Sequence, residues 1–254
     1  MEMDDINKLL INQPLIFIDK NYFTRFLSGG ESLQLSPEDL RHYRKVLRLT
    51  NDFHVTISNG EGLIAVAVVN GQNRLTLLDK ELYYFSRSRK TRLIMPFIKK
   101  KGLEIMIQKL TETGVDEIEF IQSDHQVLEY EKLDRLIYIA QNACAQSKNP
   151  VIPAIKISKF SLLDYPFDQN STYIWGDYLS KGYFESIHID KESSKDLVFI
   201  NGPEGGWSSS EKMFLENKFL AVTLSQNILK AETAAVCAIY ELKKYSNSLI
   251  VRKR

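Results

Sequence analysis

The sequence predicts an α/β protein in two parts: a small barrel-like β domain over residues 1–85 and a mainly parallel α/β domain over 93–254, joined by a basic linker at 86–92. Three observations carry that expectation. The first third holds short β-like runs broken at Asn-Gly turns. The remainder alternates strand-like and helix-like periods. With 44% of its 254 residues hydrophobic, the chain has apolar material for real cores.

In the first part, Leu15 to Ile18, Phe53 to Ile57 and Leu63 to Val69 read as strands, punctuated by Asn59-Gly60 and Asn70-Gly71. A helix is expected after Ser36, with Pro37 at its first position, carrying His42 to Leu47. The second part opens on a strand, Leu93 to Ile98, followed by a helix with Leu103, Ile107 and Leu110 on one face and Gly114 as its stop. Glu117 to Gln122 reads as the next strand, and Leu133 to Cys144 as a longer helix ended by Asn149-Pro150. Strands are then expected at Thr172 to Trp175, Leu197 to Asn201 and Ala221 to Leu224. A last helix starts near Ala231, with Ala235, Ala238, Ile239 and Leu242 along its stripe. Such βαβα alternation points to a parallel sheet.

Several classes of protein are excluded at once. Hydrophobic content and a formal net charge of +1 speak against disorder, and no apolar run approaches the roughly 20 residues of a membrane span. The acidic start, Met-Glu-Met-Asp-Asp, lacks the layout of a signal peptide, so a soluble cytoplasmic protein is expected. Cys144 and Cys237 read as small buried apolar residues. His42, His54, His125 and His188 show no ligand spacing, so no metal is expected. The balance of 33 basic and 32 acidic residues hides clustering, however. Arg41, Arg44, Lys45 and Arg48 form one cation-only group, and Arg87, Arg89, Lys90, Arg92, Lys99, Lys100 and Lys101 another. Either group suits phosphate contacts, and either suits a solvated face.

Two loops stand out at expected strand ends. After Asn201 come Gly202, Pro203, Glu204, Gly205 and Gly206, then Ser208 and Glu211 at capping-box spacing. Glycines this dense serve a plain turn or a close-fitting backbone cradle, and the loop matches neither common phosphate-binding pattern. Some twenty residues on, Leu224-Ser225-Gln226-Asn227-Ile228-Leu229-Lys230 leads into a helix that opens with Glu232 and Thr233. In isolation, that pair reads as first-turn capping.

Together these residues resemble the RsmE-type ribosomal RNA methyltransferases of the SPOUT superfamily. The resemblance rests on Gly202 to Gly206 and on Ile228-Leu229-Lys230-Ala231-Glu232-Thr233-Ala234. It extends to Lys101-Gly102 through Val115, to Gln146-Ser147 with Pro153, and to His42 with Val46 to Leu49. The matches run in the same order from about Phe17 to about Leu242. Departures from the family pattern are Ser225 for a glycine, Lys230 for an arginine, and Ala145 and Asn149 for glutamate and arginine. Asp124-His125-Gln126 stands for Glu-Arg-Ser, and Leu15 for an arginine.

The resemblance implies a PUA-like β-barrel followed by a SPOUT methyltransferase domain with a C-terminal trefoil knot, working as a homodimer. It implies S-adenosyl-L-methionine as cofactor and N3 of a uridine in small-subunit (16S) ribosomal RNA as the methyl acceptor. The residues it implies for the cofactor are Ile200, Gly202, Pro203, Glu204, Gly205, Gly206, Leu224, Ser225, Asn227, Ile228 and Leu229. Lys230, Glu232 and Thr233 are implied for catalysis. RNA contacts are expected from Arg41, Arg44, Arg48, Arg87, Arg89 and Lys101. The other reading is a non-catalytic or substrate-diverged RNA-binding homologue that keeps the fold and the cofactor pocket.

Overall fold

A computed structural model describes residues 12–29, 32–35, 53–70, 74–78, 82–126 and 132–253. Among these, residues up to Ser86 with 144–152 and 248–253 gather into one compact unit, and 87–143 with 153–247 into another. The expected helix after Ser36, with Arg41, Arg44 and Arg48, lies outside the described residues.

The first unit is built on a curled seven-stranded sheet. Its strands are β1 (Leu15–Phe17), β2 (Leu33–Gln34), β3 (Phe53–Ser58), β4 (Leu63–Val69), β5 (Arg74–Leu77), β6 (Leu82–Arg87) and β13 (Ser248–Lys253). The order β1-β3-β4-β5-β2 is extended by β6 on β4 and β13 on β6. The curl has a visible origin in β4. Its first residues pair with Tyr84 and Tyr83 of β6, and its last three pair with β5. Alternate residues Val55 and Ile57 on β3, and Ala65, Ala67 and Val69 on β4, face one core with Phe23 and Phe26. The two phenylalanines come from α1 (Lys20–Gly29), a helix with no counterpart in the sequence reading. Asp19 starts it, its carboxylate accepting from the N–H groups of Asn21 and Tyr22. At the Asn59-Gly60 turn, Gly60 has φ +79° and the Asn59 side chain accepts from Glu61 and Leu63.

The second unit holds a six-stranded sheet in which every pairing is parallel. Its strands are β7 (Thr91–Met95), β8 (Glu117–Gln122), β9 (Ala154–Ser161), β10 (Ser171–Gly176), β11 (Asp196–Ile200) and β12 (Leu220–Val222), in the order β12-β10-β11-β7-β8-β9. The runs Leu93 to Met95 and Leu197 to Ile200 are wholly buried, as expected of central strands covered on both faces. The helices are α2 (Lys100–Thr113), α3 (Leu133–Ser147), α4 (Ser209–Lys218) and α5 (Ala231–Lys243). Gly114 ends α2 in the left-handed conformation and its N–H donates to Leu110 and Thr111, so the expected stop is met. The small residues Ala235 and Ala238 let α5 lie close against α2, β7 and β11. The expected α/β class is thus borne out, and β2, β5, β6, β9, β13 and α1 are additions to it.

Two of the expected RNA-facing arginines are committed inside this unit. Arg87 pairs with Asp116, which also accepts from Lys243 at 3.0 Å and from the Thr91 N–H at 2.8 Å. Arg89 is only 3% exposed and donates to the carbonyls of Lys195 (2.7 Å) and Asp190 (2.8 Å).

Candidate active site

Strand order locates the site. From β7 the chain moves outward through β8 and β9, then returns to the other side of β7 as β10, β11 and β12. The carboxyl ends of β7 and β11 therefore flank a topological switch point, where open α/β sheets form a crevice. A cleft of about 1020 Å³ lies there, lined by the loops that follow β7, β10, β11 and β12 and by the first turn of α5.

The loop after β11 is held at both ends. Asn201 is buried and donates through Nδ2 to the Ala231 carbonyl at 3.1 Å; its own N–H donates to Ile94 at 2.9 Å. These bonds join the glycine-rich loop to the start of α5 and to β7. A Cβ on Gly202 would come within 3.1 Å of the Trp207 indole nitrogen, so a side chain here would crowd the indole. Gly206 has φ +74° and donates to the Pro203 carbonyl at 2.9 Å, closing a tight turn that exposes Glu204, Gly205 and Gly206. Ser208 then caps α4 in the expected capping box with Glu211.

The other walls are tied to this loop or to each other. Glu204 accepts from the Lys99 N–H at 3.3 Å and pairs with the Lys99 ammonium at 3.1 Å. Thr223, buried just after β12, donates to the carbonyls of both Asp177 (2.9 Å) and Ser180 (2.8 Å), pinning the loop after β10. Ser225 accepts from the Asn227 N–H at 3.1 Å, a local turn within the 224–230 loop. Lys230 stands at the N-cap of α5 with no side-chain cap bond, and Glu232 packs on Gly102 in the first turn of α2.

Of the residues expected from the sequence, Gly202 to Gly206, Leu224, Ser225, Asn227, Ile228, Leu229, Lys230, Glu232 and Lys101 all line this one cleft. Ile200 is fully buried beneath it, and Thr233 is exposed outside the lining. The sequence reading lacks the wall at Gly176 to Leu179, and also Lys99, Gly102, Ile105, Asn201 and Lys212. A signal for the first existed, since Trp175-Gly176-Asp177 is a strand end like those of the other two loops. Trp175 and Trp207 both line the cleft.

Charge in the cleft is partly neutralised. Lys99 is paired with Glu204, and Lys212 with Asp177 at 3.3 Å. Lys101 and Lys230 line the cleft and make no ion pair with the described residues. The arrangement can seat a ligand on main-chain groups beside two available cations. Among the described residues no cluster of histidine, cysteine and carboxylate groups is suited to a metal ion, and no helix is long and apolar enough to cross a membrane.

The family model for the RNA methyltransferase domain matches residues 86–243. The chain belongs to the RNA methyltransferase family. Within it, the chain is 27% identical over 229 residues to the ribosomal RNA small subunit methyltransferase E of Rickettsia conorii, covering 87% of this chain and 93% of that one. It is 24% identical to the Helicobacter pylori protein of the same name, over 89% and 93% of the two chains. Among solved structures, methyltransferase E of Neisseria gonorrhoeae, bound to S-adenosylmethionine, superposes with a TM-score of 0.73 at 24% identity, covering 91% of this chain and 97% of that one. A Legionella pneumophila protein in complex with the same cofactor gives 0.72 at 22% identity, over 92% and 99%. RsmE-type membership, expected from the motifs, is borne out, and this RNA methyltransferase carries its cleft within the matched segment.

Proposed function

We propose that this RNA methyltransferase uses S-adenosylmethionine to methylate N3 of a uridine in small-subunit (16S) ribosomal RNA, as a cytoplasmic homodimer with a trefoil-knotted C-terminal segment. The observation that carries the reading is one cleft at the switch point, walled by a glycine-rich loop and flanked by Lys101 and Lys230. The cofactor fits the residues present. At Gly202 a Cβ would crowd Trp207, while Glu204 and Gly205 are exposed, so that main-chain groups of this turn come within reach of adenine and ribose. The 224–230 loop supplies Leu224, Ile228 and Leu229 as apolar wall. When bound, the sulfonium supplies an electrophilic methyl group and a neutral leaving group.

The chain's own residues face the harder task of preparing N3, which carries a proton and is a poor nucleophile while it does. In this reading Lys230 stabilises the developing uridine anion from the mouth of the cleft. Glu232, in the same lining, is the carboxylate able to take the N3 proton, directly or through a water molecule. Thr233, exposed outside the lining, takes no part in the proton transfer, and Lys101 holds a phosphate of the RNA. Pairing in a duplex occupies N3, so the target base must be unpaired or extruded.

The test is transfer of radiolabelled methyl groups to small subunits from a strain lacking its own enzyme, with the modified nucleoside identified after digestion. Label on N3-methyluridine is expected. RNA binding without label would favour the non-catalytic reading, and label on another nucleoside would overturn the N3 assignment.

A further inference from the structure

The glycine-rich loop is also gripped from a side that the proposed reaction does not use. Residues 123–126, which follow β8, reach the loop after β11, although β7 lies between those two strands. His125 Nδ1 lies 3.0 Å from the Gly206 carbonyl oxygen; a carbonyl only accepts, so the imidazole carries its proton on Nδ1. Gly205 rests on the same residue, since a Cβ there would come within 3.3 Å of the His125 Cβ. Next to it, three residues close a ring of hydrogen bonds. The Asp124 N–H donates to Glu211 (3.1 Å), the Ser208 N–H donates to Glu211 (2.9 Å), and the Ser208 hydroxyl donates to Asp124 (2.6 Å). Glu211 is 2% exposed, so the ring is anchored in the interior.

A loop of this composition needs such a grip. Pro203 to Gly206 is closed by a single internal bond, and a Cβ added to Gly206 would meet nothing within 4 Å. Left to itself, such a segment samples many backbone states, and a ligand that binds only one has its affinity reduced by that state's population. We propose that Asp124 and His125 are positioning residues that hold the Gly202–Gly206 loop in its cofactor-binding shape before the cofactor arrives. The inference rests on the assignment of this loop to S-adenosylmethionine under Proposed function. It adds a segment outside the cleft lining, and a specific task for two of its side chains.

Preorganisation and plain structural support differ in their kinetics. A clasp that selects the competent loop changes KM and Kd for the cofactor and leaves kcat at saturation alone, because the bound state already has the loop in place. Loss of one such bond corresponds to a roughly five- to tenfold change in affinity. Calorimetry with S-adenosylhomocysteine, steady-state methylation and amide hydrogen exchange would be measured on the full-length protein and on His125→Ala, His125→Asn and Asp124→Ala. Asparagine keeps a donor near the Nδ1 position. The alanine variants are expected to raise Kd and cofactor KM about five- to tenfold with kcat unchanged, and to speed exchange at residues 203–208. His125→Asn should return affinity to within about twofold of the starting protein. Unchanged Kd in both alanine variants, a fall in kcat at constant KM, or no rescue by asparagine would each overturn the clasp. Wild-type protein that gives no heat with the ligand would instead overturn the cofactor assignment itself, and with it the task given to these residues.

Discussion

Gly102 and Glu232 meet so closely that a side chain on the glycine would press on the carboxylate. A Cβ on Gly102 would lie 3.3 Å from the Glu232 Cδ, 3.4 Å from its Oε2 and 3.4 Å from the Ile98 Cδ1. The glycine sits in the first turn of α2 and the glutamate in the first turn of α5, so the contact sets the spacing between the helices that bear Lys101 and Lys230.

Gly102→Ala should therefore separate stability from activity. Alanine gains up to about 1 kcal/mol of helix propensity, which offsets the crowding, so the melting temperature is expected to stay within a few degrees. The Glu232 carboxylate, however, has to give way by a few tenths of an ångström. Methyl transfer should fall roughly tenfold or more, because small displacements of a catalytic group are costly. Parallel thermal melts and methylation rates check this; a variant with full activity would remove the Glu232 position from catalysis.

The two cleft lysines should fail in different ways. Lys101→Ala is expected to weaken RNA binding and lower the slope of log affinity against log salt by about 0.7, the loss of one phosphate contact on single-stranded RNA. Lys230→Ala should leave that slope alone and reduce kcat on the order of 10²-fold, as for loss of one group facing developing negative charge. Binding titrations at several salt concentrations and single-turnover rates separate the two. Equal slopes in both variants with equal rates would refute the division of roles.

What could be read in advance, and what could not, follows from the range of each signal. The parallel sheet was legible because central strands are continuous apolar runs, and the Gly114 stop and the Ser208–Glu211 box because their partners lie within one turn. The cleft loops were legible as composition at strand ends. By contrast, β9 alternates lysines with apolar residues and keeps only Ile155 buried, so its own sequence hardly marks it as a strand of this sheet. The contacts of His125 with Gly206, and of Asp124 with Ser208 and Glu211, join segments some eighty residues apart, and no local pattern announces them. Arg87 and Arg89 look like surface charge within a basic run. Their partners, Asp116 and the carbonyls of Asp190 and Lys195, are brought up only by the fold.

Arg89 accordingly becomes a stability residue. Arg89→Ala leaves two carbonyls without their donor at a site that is almost fully buried, which should cost about 2–4 kcal/mol. Denaturant unfolding is expected to show that loss. RNA affinity measured well below the melting temperature should keep its salt slope. A stable variant with a shallower slope would return Arg89 to the RNA-binding set.

Lys243 gives the chain an unusual alkaline response. Burial first, and then the neighbouring Arg87, push its ammonium down to about 8 from an ordinary 10.5, with Asp116 pulling the other way. On Asp116 itself burial pushes upward, but Arg87 and Lys243 together hold the carboxyl below its usual value, so it stays charged throughout this range. Below about pH 8 both folded and unfolded chains hold the lysine proton, and the full cost of the buried charge is present. Between about 8 and 10.5 the unfolded chain still binds a proton that the folded chain has released, so stability from this group rises with pH. Lys243→Met removes the titration and keeps the Arg87–Asp116 pair. Urea unfolding of both proteins at pH 7.5 and pH 10.5 should show the difference between them move in favour of the lysine, by on the order of 2–3 kcal/mol. A difference that stays constant, or moves toward methionine, would mean that Lys243 is not held at a lowered pKa in the folded protein.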